Sequence, residues 1–368
     1  MKKLFVALLI FVLAFSVVGS GCVEKKETST TTATSTPSET TSSPASTQTA
    51  TAKEISGTIH FYTSIPKDIA VKIAEEFQKK YPNVKVEVYR SGASKVMAKL
   101  DAEIEAGKII ADVVWLADPG NTIYLKKKGV LMKYTPKDAD KVPAFAKDPE
   151  GYWIAGRFIA PVIAYNTEIV KNPPKKWSDL TDPNYRASLP SPWNTAEGWV
   201  AIPNPLYSGA ATAWVYGLSE KYGWDYFKKA KEMGIVVLKS NGAVKSAVIE
   251  GQDPIGVTLD YMVRQAIADG APINYVYPED GTVLIPSPIA ILKTTENPDA
   301  AKAFVDFLLS KEVQELLVQY GLIPARTDVA PPQGTPGISE IPQIQIDWEK
   351  LSAQLEDVRN KFSEIMLG

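Results

Sequence analysis

One cysteine and one histidine are all that the 368 residues hold of either, and these scarcities remove whole classes of chemistry. A single cysteine allows no intrachain disulfide and no cysteine-based metal site. Cys22 closes the leading apolar segment and His60 lies inside a strand-like run, so Ser/His and Cys/His nucleophilic arrangements have no evident parts. Charge of one sign is lacking too: 40 Lys and Arg stand against 42 Asp and Glu. Without a basic stripe, no nucleic acid is expected as a partner. The leading apolar run, Leu4 to Val18, is shorter than the roughly 20 residues that a membrane-spanning helix needs. What remains is the composition of a soluble globular protein, rich in aromatics with 8 Trp and 16 Tyr and long enough for two domains.

The N-terminus sets the address. A basic Met1-Lys2-Lys3, the apolar run and the small residues Gly19-Ser20-Gly21 before Cys22 read as a signal peptide over residues 1–22. A cysteine directly after small residues resembles the lipobox of secreted lipoproteins, in which Cys22 is lipidated and becomes the mature N-terminus. The usual leucine is represented at best by Val18, one position early. Residues 23–53 are dominated by Ser and Thr with interspersed Pro. They offer almost no apolar side chain to bury and are expected to form a disordered tether suited to O-glycosylation. The folded part is therefore expected outside the cell, anchored through lipid to the outer face of the membrane.

Beyond the tether, strand and helix patterns alternate. Gly57–Tyr62, Val84–Tyr89 and Ala111–Trp115 read as strands, each running into a polar loop. Asp68–Tyr81 and Lys95–Ala106 read as helices between them. Such alternation predicts βαβ units and a mainly parallel sheet. Two long apolar strands, 156–166 and 282–292, are candidates for passing from one lobe to another. Helices are predicted over Ala210–Tyr222, Ala243–Glu250, Ala300–Leu309 and Lys311–Tyr320, with one long amphipathic helix over Trp348–Leu367.

The polar residues gather where strands end. Ile255, Val257 and Leu259 lead to Asp260-Tyr261, from which a helix runs to Gly270. Asp260 there is either a helix N-cap or, with Tyr261, part of a ligand site, since open α/β sheets bind ligands beyond their strand ends. By the same rule the loops at Ser64, at Ser91-Gly92 and at Asp118 should line one crevice. Ser208-Gly209 and Ser240-Asn241 open two further helices, where Ser208 serves either as a cap or, with the following N–H groups, as part of an anion site. Asp118 and Asp260 could in principle form a carboxylate pair, but no motif asks for glycosidase-like use, and an enzyme of any class is not expected.

The order of several strings resembles the extracytoplasmic solute-binding proteins of ABC importers, in particular the branch of ferric-ion binders and small organic anion binders. They are I-H-F-Y-T-S, A-D-V-V-W, V-I-A-Y-N before W-S-D-L, P-L-Y-S-G, I-E-G-Q-D-P-I-G-V-T-L-D-Y and N-P-D-A-A-K-A-F-V-D-F-L-L-S-K-E-V-Q. The resemblance implies an α/β, two-lobed periplasmic-binding-protein-like fold of type II, with mixed sheets flanked by helices and two crossing hinge strands. The lobes would be residues 54–158 together with 286–368 and the C-terminal helices, and residues 159–285. A permease would receive the ligand. Ferric binders of this branch use two adjacent tyrosines where this chain has Asp260-Tyr261, and their histidine would fall near Pro66. Their acidic ligand after the third strand matches Ala117 or, shifted by one, Asp118. Two ligand readings follow. One is iron(III) held by Asp118, Asp260 and Tyr261 with an added anion. The other is a phosphonate, phosphate ester or carboxylate held by Ser64, Ser91, Gly92, Ser208, Gly209 and Asn241, with Asp118 or Asp260 meeting any ammonium group. No resident cofactor is expected.

Overall fold

The computed structural model describes residues 54–368; the signal segment, Cys22 and the Ser/Thr-rich tether lie outside the described residues. The chain opens with β1 (Gly57–Thr63), α1 (Lys67–Lys80), β2 (Val84–Arg90), α2 (Ala93–Glu105), β3 (Val113–Trp115) and α3 (Pro119–Lys127). Alternation along β1 buries Ile59 and Phe61, and α1 presents Ile69, Ile73 and Phe77 at helical spacing to the same core. β1 lies between β2 and β3 and runs parallel to both. After the short β4 (Leu131–Met132), β5 (Ile154–Ile159) completes this passage.

Ala160 separates β5 from β6 (Pro161–Asn166), which belongs to a second sheet. There follow α4 (Pro183–Ala187), β7 (Val200–Pro203), α5 (Gly209–Tyr222), α6 (Asp225–Glu232), β8 (Val236–Leu238), α7 (Asn241–Ile249), β9 (Ile255–Leu259), α8 (Asp260–Ala268) and β10 (Ile273–Val276). Residues 277–284 carry the chain back to the first sheet at β11 (Ile285–Leu292). Then come α9 (Pro298–Leu308), α10 (Lys311–Gln319), β12 (Ile323–Pro324), α11 (Trp348–Ala353) and α12 (Leu355–Leu367).

The strand order is β12-β5-β11-β3-β1-β2, with β4 on β11, in the first sheet and β10-β6-β9-β7-β8 in the second. Each sheet holds a parallel trio, β2-β1-β3 or β8-β7-β9, beside antiparallel strands contributed by the crossing segments. The result is a two-lobed α/β fold with mixed sheets flanked by helices. The six parallel strands all deliver their C-terminal ends to loops that start helices, and this positions the site.

Two local expectations change. The strand expected over 156–166 is interrupted at Ala160, where the chain leaves one sheet for the other. The helix expected over 348–367 breaks at Gln354. α11 packs on α3, whereas α12 packs on α5 and α6, and the break lets the chain reach both. Lys127 of α3 pairs with Glu349 at 2.8 Å and Lys350 with Glu220 of α5 at 2.8 Å, so α11 touches a helix from each lobe. Helix α3 follows Asp118 directly, because Asp118 caps it and Pro119 occupies its first position.

Candidate functional site

Ser64 after β1, Ser91 and Gly92 after β2, Tyr207 and Ser208 before α5, Lys239 and Ser240 before α7, and Tyr261 in α8 line one cavity of about 380 Å³. Gly209 and Asn241 also line it. The lobes meet tightly at its edge: a methyl group at Gly92 would lie 2.9 Å from the Tyr207 carbonyl oxygen. Local capping sets the helix starts. Ser208 Oγ accepts the Ala211 N–H at 3.2 Å and Ser240 Oγ the Ala243 N–H at 3.1 Å. Asn241 Nδ2 donates to Ser208 Oγ at 2.9 Å, which ties the start of α7 to that of α5.

The two carboxylates take other places. Asp118 is fully buried. It accepts the Asn121 N–H at 3.1 Å on Oδ1 and Asn121 Nδ2 at 2.8 Å on Oδ2. A methyl group at Gly209 would lie 1.9 Å from Asp118 Oδ2, so the backbone at the start of α5 covers this oxygen. Burial pushes the Asp118 carboxyl above its ordinary range, against the opposing pull of Asn121 and Arg359. Asp260 is fully buried as well. Its Oδ1 accepts the Ala160 N–H at 3.2 Å, and its Oδ2 accepts Arg264 Nη2 at 2.8 Å and the Tyr277 hydroxyl at 3.0 Å. Ala160 and Tyr277 belong to the two crossings between sheets, so Asp260 joins both. Neither Asp118 nor Asp260 lines the cavity. Among the described residues, no group of three or more His, Cys, Asp and Glu is placed to hold a metal ion.

The charges that do line the cavity are Arg90, Lys95, Arg157 and Lys239, and no Asp or Glu is among the lining residues. Arg157 is the most constrained. It is 2 % exposed, its guanidinium lies 5.0 Å over the Tyr261 ring, and its Nε and Nη1 find no hydrogen-bond partner in the protein. Burial lowers its pKa, with Tyr261 and Asp260 opposing, but a guanidinium stays charged in proteins. The Ser64 hydroxyl is also buried without a partner. These four cations were not among the expected site residues. For Arg157 a signal existed: it is the one charge within the apolar run Ile154–Asn166. A wider groove of about 890 Å³ runs along the outer side of α8, past Arg264, Tyr275, Tyr320 and Pro332. Arg264 there is already engaged by Asp260, the Gly321 carbonyl and two tyrosine hydroxyls.

A two-lobed fold with an interlobe cavity at the strand ends is the architecture of binding proteins that close on a ligand. Residues 72–345 match the family model described as bacterial extracellular solute-binding protein. The chain belongs to that family. A probable ABC transporter periplasmic-binding protein of Sinorhizobium fredii is 25 % identical over 321 residues, 82 % of this chain and 84 % of the relative. The periplasmic binding protein AfuA of Actinobacillus pleuropneumoniae, solved with exogenous fructose-6-phosphate bound, is 25 % identical with a TM-score of 0.74. That match covers 84 % of this chain and 98 % of that one. The major ferric iron-binding protein of Neisseria meningitidis is 30 % identical over 182 residues, 48 % of this chain and 52 % of the relative. This extracellular solute-binding protein works outside the cytoplasm and delivers a small ligand to an ABC transporter permease.

Proposed function

We propose that the transported ligand is a small organic anion held between the lobes. The observation that carries this reading is Arg157, a buried guanidinium with two N–H-bearing nitrogens unpartnered in the protein, in a cavity lined by cations and by no carboxylate. A buried charge requires a counter-charge, and here a ligand would supply it. Ser64, Ser91, Gly92, Ser208, Gly209, Asn241 and Tyr261 would contact the ligand beside Arg157, with Arg90, Lys95 and Lys239 adding charge. The lobes, taken as residues 54–158 with 286–368 and residues 159–285, would close about the crossings at Ala160 and 277–284. Lipidation at Cys22 and the tether over residues 23–53 would hold the folded part at the outer face of the membrane. The relative solved with fructose-6-phosphate supports an anionic ligand. For iron(III), the named ferric relatives speak, and Tyr261 offers one phenolate at the cavity, but Asp118 and Asp260 are committed elsewhere.

Thermal shift with ferric citrate, phosphate, phosphonates, phosphate esters and small carboxylates tests the reading. A ligand at about 100 times its Kd stabilises by about 2.7 kcal/mol. An anion is expected to raise the melting temperature, and Arg157→Leu to abolish that rise. A rise with ferric iron alone, with a visible charge-transfer band lost in Tyr261→Phe, would replace the anion by iron.

A further inference from the structure

We infer that the ligand is a doubly charged phosphoryl compound, a phosphate monoester or phosphonate, whose remaining part carries no ammonium group. This rests on the anion reading above and narrows it.

Arg90, Lys95, Arg157 and Lys239 face one cavity of about 380 Å³, a volume at the small end of the range for single small-molecule sites. Arg157 is buried and only partly satisfied. Arg90 gives its Nε to the Ile65 carbonyl at 2.9 Å, which leaves the rest of its fork free of any acidic partner. The starts of α2, α5 and α7, helices of 13, 14 and 9 residues, converge on the same space. Each adds the partial positive charge and free N–H groups of a helix N-terminus. The unpartnered Ser64 hydroxyl adds one more donor. A single negative charge would leave this set strongly positive. A phosphoryl group, with a second pKa near 6, carries close to two charges at neutral pH and three acceptor oxygens.

An ammonium group in the ligand would need a carboxylate, and both loop aspartates are out of reach. Asp118 is closed off by Asn121 and the backbone at Gly209, and Asp260 by Ala160, Arg264 and Tyr277. An amine in this cavity would meet only like charge, which disfavours it.

Isothermal titration of the full-length protein with matched probes tests the inference. Glucose 6-phosphate is paired with glucosamine 6-phosphate, and ethylphosphonate with 2-aminoethylphosphonate; glucose 6-sulfate is the monoanionic control. In whichever pair binds, the amine-free member is expected to bind at least tenfold more tightly, about 1.4 kcal/mol. The sulfate ester is expected to bind at least tenfold more weakly than the phosphate. Lys239 is an exposed loop residue, so Lys239→Glu should fold and should narrow the gap within the binding pair. Equal or tighter binding of the amine member, a sulfate ester equal to the phosphate, or an unchanged gap in Lys239→Glu would overturn the inference while leaving an anion in the site. Binding of ferric citrate with none of the four phosphoryl probes would overturn the anion reading itself.

Discussion

Replacing Asp260 separates two accounts of the residue at the head of α8. As a ligand group, Asp260 would matter for binding and little for folding. The structure makes it the join between the two crossings. It is fully buried, its backbone N–H donates to the Ala160 carbonyl at 3.0 Å, and its carboxylate accepts the Ala160 N–H in return. The other oxygen receives Arg264 and Tyr277. Arg264 reaches on to the Gly321 carbonyl at 2.7 Å and to the Tyr275 hydroxyl at 3.1 Å. Burial first, and then the Asp260 charge, push the Tyr277 phenol well above its ordinary range, so it stays a donor at every working pH.

Asp260→Ala therefore strands a guanidinium whose side chain is 9 % exposed. Breaking a buried pair from one side costs about 3–5 kcal/mol. The carbonyl and hydroxyl partners that Arg264 keeps place the expectation near the lower figure, about 3 kcal/mol. At roughly 2–4 °C per kcal/mol for large domains, the melting temperature should fall by about 6–12 °C. Urea titration of Asp260→Ala, Arg264→Leu and the double variant gives the assay. The double variant should lose less than the sum of the singles, because neither partner is then left alone. A loss below about 1 kcal/mol in Asp260→Ala, accompanied by abolished ligand binding, would refute this reasoning and return Asp260 to the ligand shell.

Two further outcomes follow from close contacts and from burial. Gly209→Ala places a methyl group 1.9 Å from Asp118 Oδ2, so the start of α5 must retreat from the β3 loop. Overpacking of this kind costs about 1–3 kcal/mol, and ligand affinity should fall at least tenfold. Unchanged melting and titration curves would show that the contact yields freely. Asp253 is buried, and burial raises its carboxyl pKa from 3.8 to about 6. Its contribution to stability is therefore fully present below about pH 3.8 and lost as pH rises through 6. Asp253→Asn should melt higher than the parent at pH 7.5, with the gain shrinking towards pH 4. A difference independent of pH would assign the effect to packing.

Much of the fold was legible because each strand end marks a change of period, from two to about 3.6, across a short polar loop. That pattern located Ser64, Ser91-Gly92, Ser208-Gly209, Asn241 and Tyr261, and all of them line the cavity. The two-residue strands β4 and β12 are too short to carry a period at all. The aspartates were harder for a physical reason. An acid at a strand end can cap, bind or pair, and its neighbours in sequence do not choose among these. For Asp260, only Arg264, one helical turn on, was within local reach; Ala160 and Tyr277 come from the two crossings. For Asp118, the covering group is Gly209, which opens α5 after a strand of the other sheet.

The sign of the cavity was the least legible feature, because a formal net charge of −2 averages over a surface where cations and anions mix. A cavity instead samples a few loop positions, and here it draws four cations from them and no acid. Arg157 is the exception that could have been read locally. A buried strand tolerates a guanidinium only when something meets it, and the run around Arg157 holds no acid between Ile154 and Asn166. The missing counter-charge must then come from a distant part of the chain or from a ligand. The structure brings Tyr261 to its face and no carboxylate to its N–H groups, and that counter-charge is what the proposed anionic ligand would supply.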